Sequence, residues 1–190
     1  MRYVFDKGAS RFSVQAFAAG MLSTFGHNPV IAIRDFEGEV RFDDGTYEHA
    51  ALGLKIKTAT FEVLDEMKRD DRAKLEKLMR EEVLDIADFP DVLFESKQIS
   101  VEKVSVGVLQ VNVSGDLTLH GSTQSHSFEA RVMVMGTMLR VSGDFSIRQS
   151  DYGIKPVSFA AGALRLKDEL KFNFELVARQ EVTKQAESAV

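Results

Sequence analysis

The sequence predicts an all-β protein, an antiparallel up-and-down barrel of eight strands with one helix covering an end. Three observations lead there. Apolar residues recur at every second position over most of the chain, the mark of strands with one dry and one wet face. Turn signals separate these segments, at Asp43-Asp44-Gly45, His120-Gly121-Ser122 and Met135-Gly136-Thr137, as hairpin connections do. Several segments also exceed the usual strand length of ~5–6 residues, and long strands in sequential hairpins favour closure, which removes exposed edges.

Taken in order, Phe12, Val14, Ala16 and Ala18 alternate with Arg11, Ser13 and Gln15, giving a strand over 10–19 with Phe17 out of step. Strands at 29–42 and 49–62 follow, the second with Leu52, Leu54 and Ile56 against Lys55 and Lys57. From Asp70 to Asp88 the period becomes helical, and Leu75, Leu78, Met79, Val83 and Ile86 form a stripe. Asp70 or Asp71 is placed to cap this helix, and Phe89-Pro90 to stop it, because proline disfavours helix at the preceding residue. The stripe suits a plug for one barrel end better than a docking surface. Strands over 91–103, 106–120, 125–135 and 138–149 come next; in the last, Leu139, Val141, Phe145 and Ile147 alternate with polar residues. A strand over 163–178 ends the barrel, with Leu170, Phe172, Phe174 and Leu176 on one face, and 180–190 reads as a frayed tail. The domain therefore spans 1–179, with no internal repeat and no linker.

Composition narrows the function classes. With 24 Lys+Arg against 29 Asp+Glu the net charge is −5, which argues against nucleic-acid binding. Cysteine is absent, which excludes disulfides, thiol nucleophiles and thiolate metal sites. No apolar run reaches the ~18 residues of a spanning helix. The opening Met1–Lys7 has no apolar core of an export signal, so a cytoplasmic location is expected.

Catalytic chemistry has few places to sit. His120 and His126 flank a hairpin turn and make half a zinc site, without a third ligand to complete it. His49 stands beside Glu48 at a strand start, where it should be exposed. His27, in Thr24-Phe25-Gly26-His27-Asn28-Pro29, lies in a loop at a barrel end, a position for a ligand contact or a base and equally for a histidine bonded to backbone carbonyls. There is no Gly-x-Ser-x-Gly elbow, no P-loop and no dinucleotide fingerprint. No catalytic residue, metal site or cofactor is assigned.

The apolar faces carry more information. If Phe12, Val14, Val40, Ile56, Phe94, Leu117, Phe128, Val132, Val141, Phe145, Phe172 and Phe174 point inward, the lumen is dry and rich in phenylalanine. A small barrel either fills that space with side chains or keeps room for one ligand, and alternation does not separate the two outcomes. Ala16, Gly38, Gly115, Ala130 and Gly143 share the inward phase and tilt the balance towards open space, although glycine in a strand also marks close backbone approach. Arg34 shares the phase of Phe36 and Val40, so a cation is expected to face the lumen or its mouth.

Four stretches resemble the YceI-like family: Phe36-Glu37-Gly38 with Val40-Arg41-Phe42, Phe89-Pro90-Asp91-Val92-Leu93-Phe94-Glu95-Ser96, Gly115-Asp116-Leu117-Thr118-Leu119-His120-Gly121-Ser122-Thr123, and Ser150-Asp151-Tyr152-Gly153-Ile154. Their order agrees over about residues 3 to 178. The resemblance implies an extended, lipocalin-like eight-stranded barrel that holds a long apolar ligand, with polyisoprenoid or fatty-acyl lipid as the partner. It also implies a homodimer as an assembly to consider, without naming an interface. Gln149 stands where the family pattern commonly carries arginine, with Arg148 displaced to the other face.

Together these readings give non-enzymatic binding, transport or storage of a long apolar lipid, held by the inward residues with Phe36, with Arg34 and His27 at its polar end. The rival readings are an enzyme using His27 as acid or base and a protein-interaction module using the helix or a strand edge.

Overall fold

The computed structural model describes residues 1–19, 28–159 and 164–181. Its strands are β1 (Arg2–Phe5), β2 (Arg11–Ala19), β3 (Val30–Ile33), β4 (Phe36–Arg41), β5 (Ala51–Lys57), β6 (Phe61–Val63), β7 (Asp91–Ser105), β8 (Val108–Leu119), β9 (Ser122–Met135), β10 (Met138–Arg148), β11 (Ser158–Phe159) and β12 (Leu164–Gln180). Helix α1 (Arg69–Leu78) continues into a wider π-helical turn over Met79–Val83. The strands pair antiparallel in the order β1-β4-β5-β7-β8-β9-β10-β12, and β12 returns to β1 with Tyr3 opposite Gln180. That pairing closes an eight-stranded barrel. The predicted fold class is the observed one.

Two of the predicted strands are broken, at the level where a third break separates β1 from β2. The 29–42 segment is β3 and β4, the 49–62 segment is β5 and β6 with a 3₁₀ turn at Thr58–Thr60 between them, and the predicted 10–19 strand is β2. β1 and β2 both run along β12, through Phe5↔Ala178 and Phe12↔Phe174. Side chains carry the ladder across each break. The Ser10 hydroxyl accepts from the Val177 amide at 2.9 Å and donates to the Asp6 carbonyl at 2.6 Å. Thr60 Oγ1 accepts from the Asp35 amide at 3.1 Å, and the buried Thr58 hydroxyl donates to the Pro90 carbonyl at 2.8 Å. β1 itself lies outside the strands that alternation picked out.

Arg34 falls in the second break. Ile33 and Phe36 are both buried although three residues apart, so Arg34 and Asp35 are taken out of the alternation. The Arg34 guanidinium points outward and pairs with Glu62 at 2.7 Å. The expectation that it faces the lumen is corrected.

The helix covers one barrel end, as its stripe predicts, and Leu75, Leu78, Met79 and Val83 face the interior. Its ends differ from the expectation. Asp70 and Asp71 lie inside the first turn and neither caps it; Lys68 is the N-cap, without a side-chain bond. The acids instead complement the helix dipole. The C-terminus comes at Val83 rather than Asp88, where the Leu84 amide reaches back to the Met79 carbonyl and Asp85 adopts a φ of 45°. β12 runs on to Gln180, whose amide bonds the Thr137 carbonyl at 2.8 Å, so Gln180 belongs to the barrel. Residues 182–190 of the expected tail, the Met21–Gly26 stretch and His27 lie outside the described residues.

The free edge of β6 is sealed by the helix. Glu76 accepts from the Val63 amide at 3.1 Å, and Arg80, itself bonded to Glu76 at 3.1 Å, donates to the Phe61 carbonyl at 3.4 Å. A strand edge deep in the fold must pair its backbone groups, and two side chains do it here. Glu76→Ala is expected to lower stability by about 1–3 kcal/mol, the cost of an unsatisfied buried donor. Hydrogen exchange at the Val63 amide should rise with it, and unchanged exchange there would show that the seal lies elsewhere.

Candidate ligand-binding lumen

The barrel interior is two chambers rather than one. The first, of about 130 Å³, lies on the β1, β4 and β5 side of the strand breaks. The second, of about 100 Å³, lies under the helix and is walled by residues of β2, β3 and β6. Ile56, Val92, Leu117 and Phe172 line both and form the partition. Cavities of this size with hydrocarbon walls stay dry and accept small apolar molecules, as an engineered cavity of ~150 Å³ in another protein does.

The sequence-predicted residues distribute clearly. Phe12, Val40, Ile56, Phe94, Leu117, Phe128, Val132, Val141, Phe145, Phe172 and Phe174 all line the first chamber. Val14 lines the second. Phe36 is buried behind Phe12, edge-on with ring centroids 5.9 Å apart, and lines neither chamber. The aromatic residues form one continuous set: Phe145 stacks on Phe172 at 4.7 Å with planes 2° apart and on Phe128 at 5.3 Å. Phe174 packs edge-on to Phe12 and Phe128.

The in-phase glycines do not open this space. A Cβ on Gly143 would meet the Glu129 carbonyl oxygen and Phe174 Cζ, each at 2.7 Å, and one on Gly115 would collide with the Glu95 carbonyl. Glycine therefore serves close approach, the other of the two readings. The Phe174 ring lies across the room that Gly143 leaves.

Beside these, alternation also places Leu52, Leu54, Ala130 and Leu176 on the first chamber, and Phe42 and Tyr47 come from the loop end at its rim. Two polar side chains reach the lumen unannounced. Gln149, at the position matched to the family's arginine, is buried in the wall of the second chamber, where its amide donates to the Lys167 carbonyl at 2.9 Å. Arg148 is exposed.

His126 lines the first chamber and packs against Phe145 with ring centroids 5.0 Å apart. Its Nε2 is buried and has no hydrogen-bond partner. Burial alone pushes its imidazole below the ordinary range. The signal for it was available, since His126 shares the phase of Phe128, Ala130 and Val132. Because the hairpin turn is only two residues, β9 starts at Ser122 rather than 125, so His126, inside the predicted strand, stands well within β9 rather than beside the turn. It stands where the wall loses its ladder. β9 and β10 pair only from Met135↔Met138 to Ala130↔Gly143, and the ring contacts of His126, Phe128 and Phe145 bridge the seam below.

His120 lies in the turn with φ 50° and packs over Phe89, so the two histidines that flank the hairpin differ in surroundings. Among the described residues, the one grouping of three metal-type donors is Asp43, Glu48 and His49, all exposed. There Asp43 holds His49 Nδ1 at 2.7 Å and raises its pKa. Among the described residues no helix is long and apolar enough to cross a membrane.

A closed antiparallel barrel with a dry interior and a single covering helix defines a lipocalin-like architecture. The chain belongs to the YceI-like family, whose YceI-like domain matches residues 3–178. It is 27% identical over 160 residues to a UPF0312 protein of Pseudomonas syringae pv. tomato, covering 80% of this chain and 76% of that one. A UPF0312 protein of Pseudomonas putida is 28% identical over 116 residues, 60% of this chain and 55% of its own. The fold is shared with Burkholderia cenocepacia BcnA at a TM-score of 0.69 and 18% identity, covering 91% of this chain and 98% of that one. A polyisoprenoid binding domain from Saccharophagus degradans, implicated in plant cell wall breakdown, gives a TM-score of 0.68 at 15% identity, covering 94% and 98%.

The buried imidazole has a measurable consequence. The unfolded chain takes up a proton on this residue near its ordinary value of 6.5, whereas the folded chain does so only at lower pH. Its contribution is therefore intact above about pH 6.5, is lost as pH falls towards the depressed folded value, and levels below that. Between about pH 7 and about pH 5, urea denaturation should show a larger loss for the parent protein than for His126→Phe. The same loss in both would place His126 in water.

Proposed function

We propose that this protein binds a long apolar lipid, of the polyisoprenoid or fatty-acyl class, inside its barrel and acts as a carrier or reservoir rather than a catalyst. The observation that carries this reading is the lumen itself, two apolar-walled chambers that share Ile56, Val92, Leu117 and Phe172 between them. Burial supplies the driving force, at about 0.8 kcal/mol for each CH₂ taken out of water. The Saccharophagus degradans structure, named as a polyisoprenoid binding domain, supports the ligand class. Catalysis asks for a base held in place by a second group, and the His126 Nε2 has no partner.

Adjacent residues of β12 test the reading. Phe174 lines the lumen, whereas Asn173 faces outward and is half-buried. Phe174→Asp puts a carboxylate among phenyl rings, where it must protonate or draw in water. It is expected to abolish lipid co-purification by native mass spectrometry, and Asn173→Asp, with the same charge change, to leave it intact. Circular dichroism establishes that both variants fold. A folded Phe174→Asp protein with its full lipid complement would overturn the lumen as the binding site.

Arg34, paired with Glu62 outside the barrel, has no part in this reading. Arg34→Met should leave the affinities for a lipid phosphate and for its neutral alcohol equally unchanged. Selective loss of the phosphate would restore it as a headgroup contact.

A further inference from the structure

We propose that His126 is the polar anchor of the lumen and that it selects a lipid ending in an uncharged hydroxyl over one ending in a phosphate. The inference rests on the lipid-binding reading above and adds the chemistry of the ligand's end.

The first observation is an unmet hydrogen bond. His126 lines a chamber walled by Phe, Leu, Ile, Val and Ala side chains with Tyr47 at the rim, and its Nε2 is shut away from water and has no partner in the protein. A buried polar atom left unpaired is rare and points to an absent partner.

The second observation is the absence of charge. Among the described residues, no Lys or Arg lines either chamber. The charges on the neighbouring strands point away from the lumen. Asp116 on β8 is paired with Lys97 on β7 at 2.6 Å, and Asp144 on β10 with Lys171 on β12 at 2.8 Å. Glu129 on His126's own strand, with Arg148 and Glu169 across the seam, is exposed. A phosphate brought to His126 would be desolvated with no counter-charge to meet it. Burial also holds the imidazole neutral, so it offers no cation of its own.

The third argument is donor and acceptor matching. In a neutral imidazole Nε2 either carries the proton or accepts one, and a hydroxyl satisfies both cases because it donates and accepts. A carbonyl satisfies only one of them. Location fits as well, since His126 packs on Phe145, which stacks on Phe172 in the partition. The hydroxyl would sit in the first chamber beside that ring stack.

The test uses the delipidated protein and three probes with the same chain: farnesol, farnesyl phosphate and farnesene. Each is titrated into the parent protein, His126→Phe and His126→Gln by competition with a fluorescent apolar probe. The parent should bind farnesol about tenfold tighter than farnesene, the worth of one buried hydrogen bond. It should bind farnesyl phosphate more weakly than farnesol. In His126→Phe the alcohol should fall to the level of the hydrocarbon, whose unchanged affinity shows that fold and chamber are intact, and His126→Gln should restore part of the preference. Farnesol should also shift the His126 imidazole nitrogen resonances in ¹⁵N-histidine spectra. Equal binding of alcohol and hydrocarbon by the parent, tightest binding of the phosphate, or equal losses for all probes in His126→Phe would each overturn the anchor while leaving the lipid-binding reading standing. A parent protein that takes up none of the three would overturn that reading itself.

Discussion

The structure depends on a line of breaks across three neighbouring strands. Where β1 gives way to β2, β3 to β4 and β5 to β6, the backbone leaves its regular ladder at one level of the barrel. Backbone groups released inside a protein must find partners. Here the partners are hydroxyls: Ser10 bridges Asp6 and Val177, Thr60 takes the Asp35 amide, and Thr58 holds Pro90 at the start of β7. These residues let three strands change course together. Above the line the eight strands close around the first chamber, and below it β2, β3 and β6 lean out around the second.

The helix is the consequence of that second half. Once β6 departs from β7, one sheet edge lies open inside the fold, and Glu76 and Arg80 replace the missing strand while the Leu75, Leu78, Met79 and Val83 face fills the end. The π-helical turn belongs to the same arrangement. It widens the last turn just where Met79 and Leu84 become buried, and such widened turns are a way to re-aim side chains within a helix. Fold and cavity are thus set by the same few polar contacts rather than by the apolar residues alone.

How much of this the sequence displays follows from where the alternation is continuous. β8, β9 and β10 run unbroken, and β12 does so beyond its bulge between Leu166 and Leu170. Inward faces such as Leu170, Phe172, Phe174 and Leu176 opposite Lys171 and Asn173 are therefore legible without a structure, whereas β7 shifts register between Ser96 and Gln98. The breaks erase the same signal elsewhere. Arg34 looks inward because counting by two from Phe36 passes through it, yet the chain turns between Ile33 and Phe36 and sends it to Glu62. The four residues of β1 were too few to alternate visibly. His126 lies inside the predicted 125–135 strand and in phase with Phe128, but the polar residues on both sides of it read as the flank of a turn rather than as a lumen wall. Hydroxyls that replace a ladder bond, such as Ser10 and Thr60, have no signature in the sequence, because their role exists only once distant strands meet.

The partition between the chambers shows why side-chain walls matter for a long ligand. Phe172 stands between them, held by its stack on Phe145, and a contact of this kind is worth about 0.5–1.5 kcal/mol beyond the area it buries. Each further CH₂ that a lipid buries returns about 0.8 kcal/mol. Extending a chain past the partition by two or three carbons therefore outweighs turning the Phe172 ring aside, so long as the ring finds another rotamer among its neighbours. A backbone wall would offer no such exchange, because moving it would break ladder bonds on β12 that also close the barrel. Gly143 serves the same wall, since a Cβ there would meet Phe174 Cζ at 2.7 Å and only glycine lets that ring pack against the backbone. On the proposed lipid-binding reading, the length of chain admitted follows from the ease of displacing individual rings.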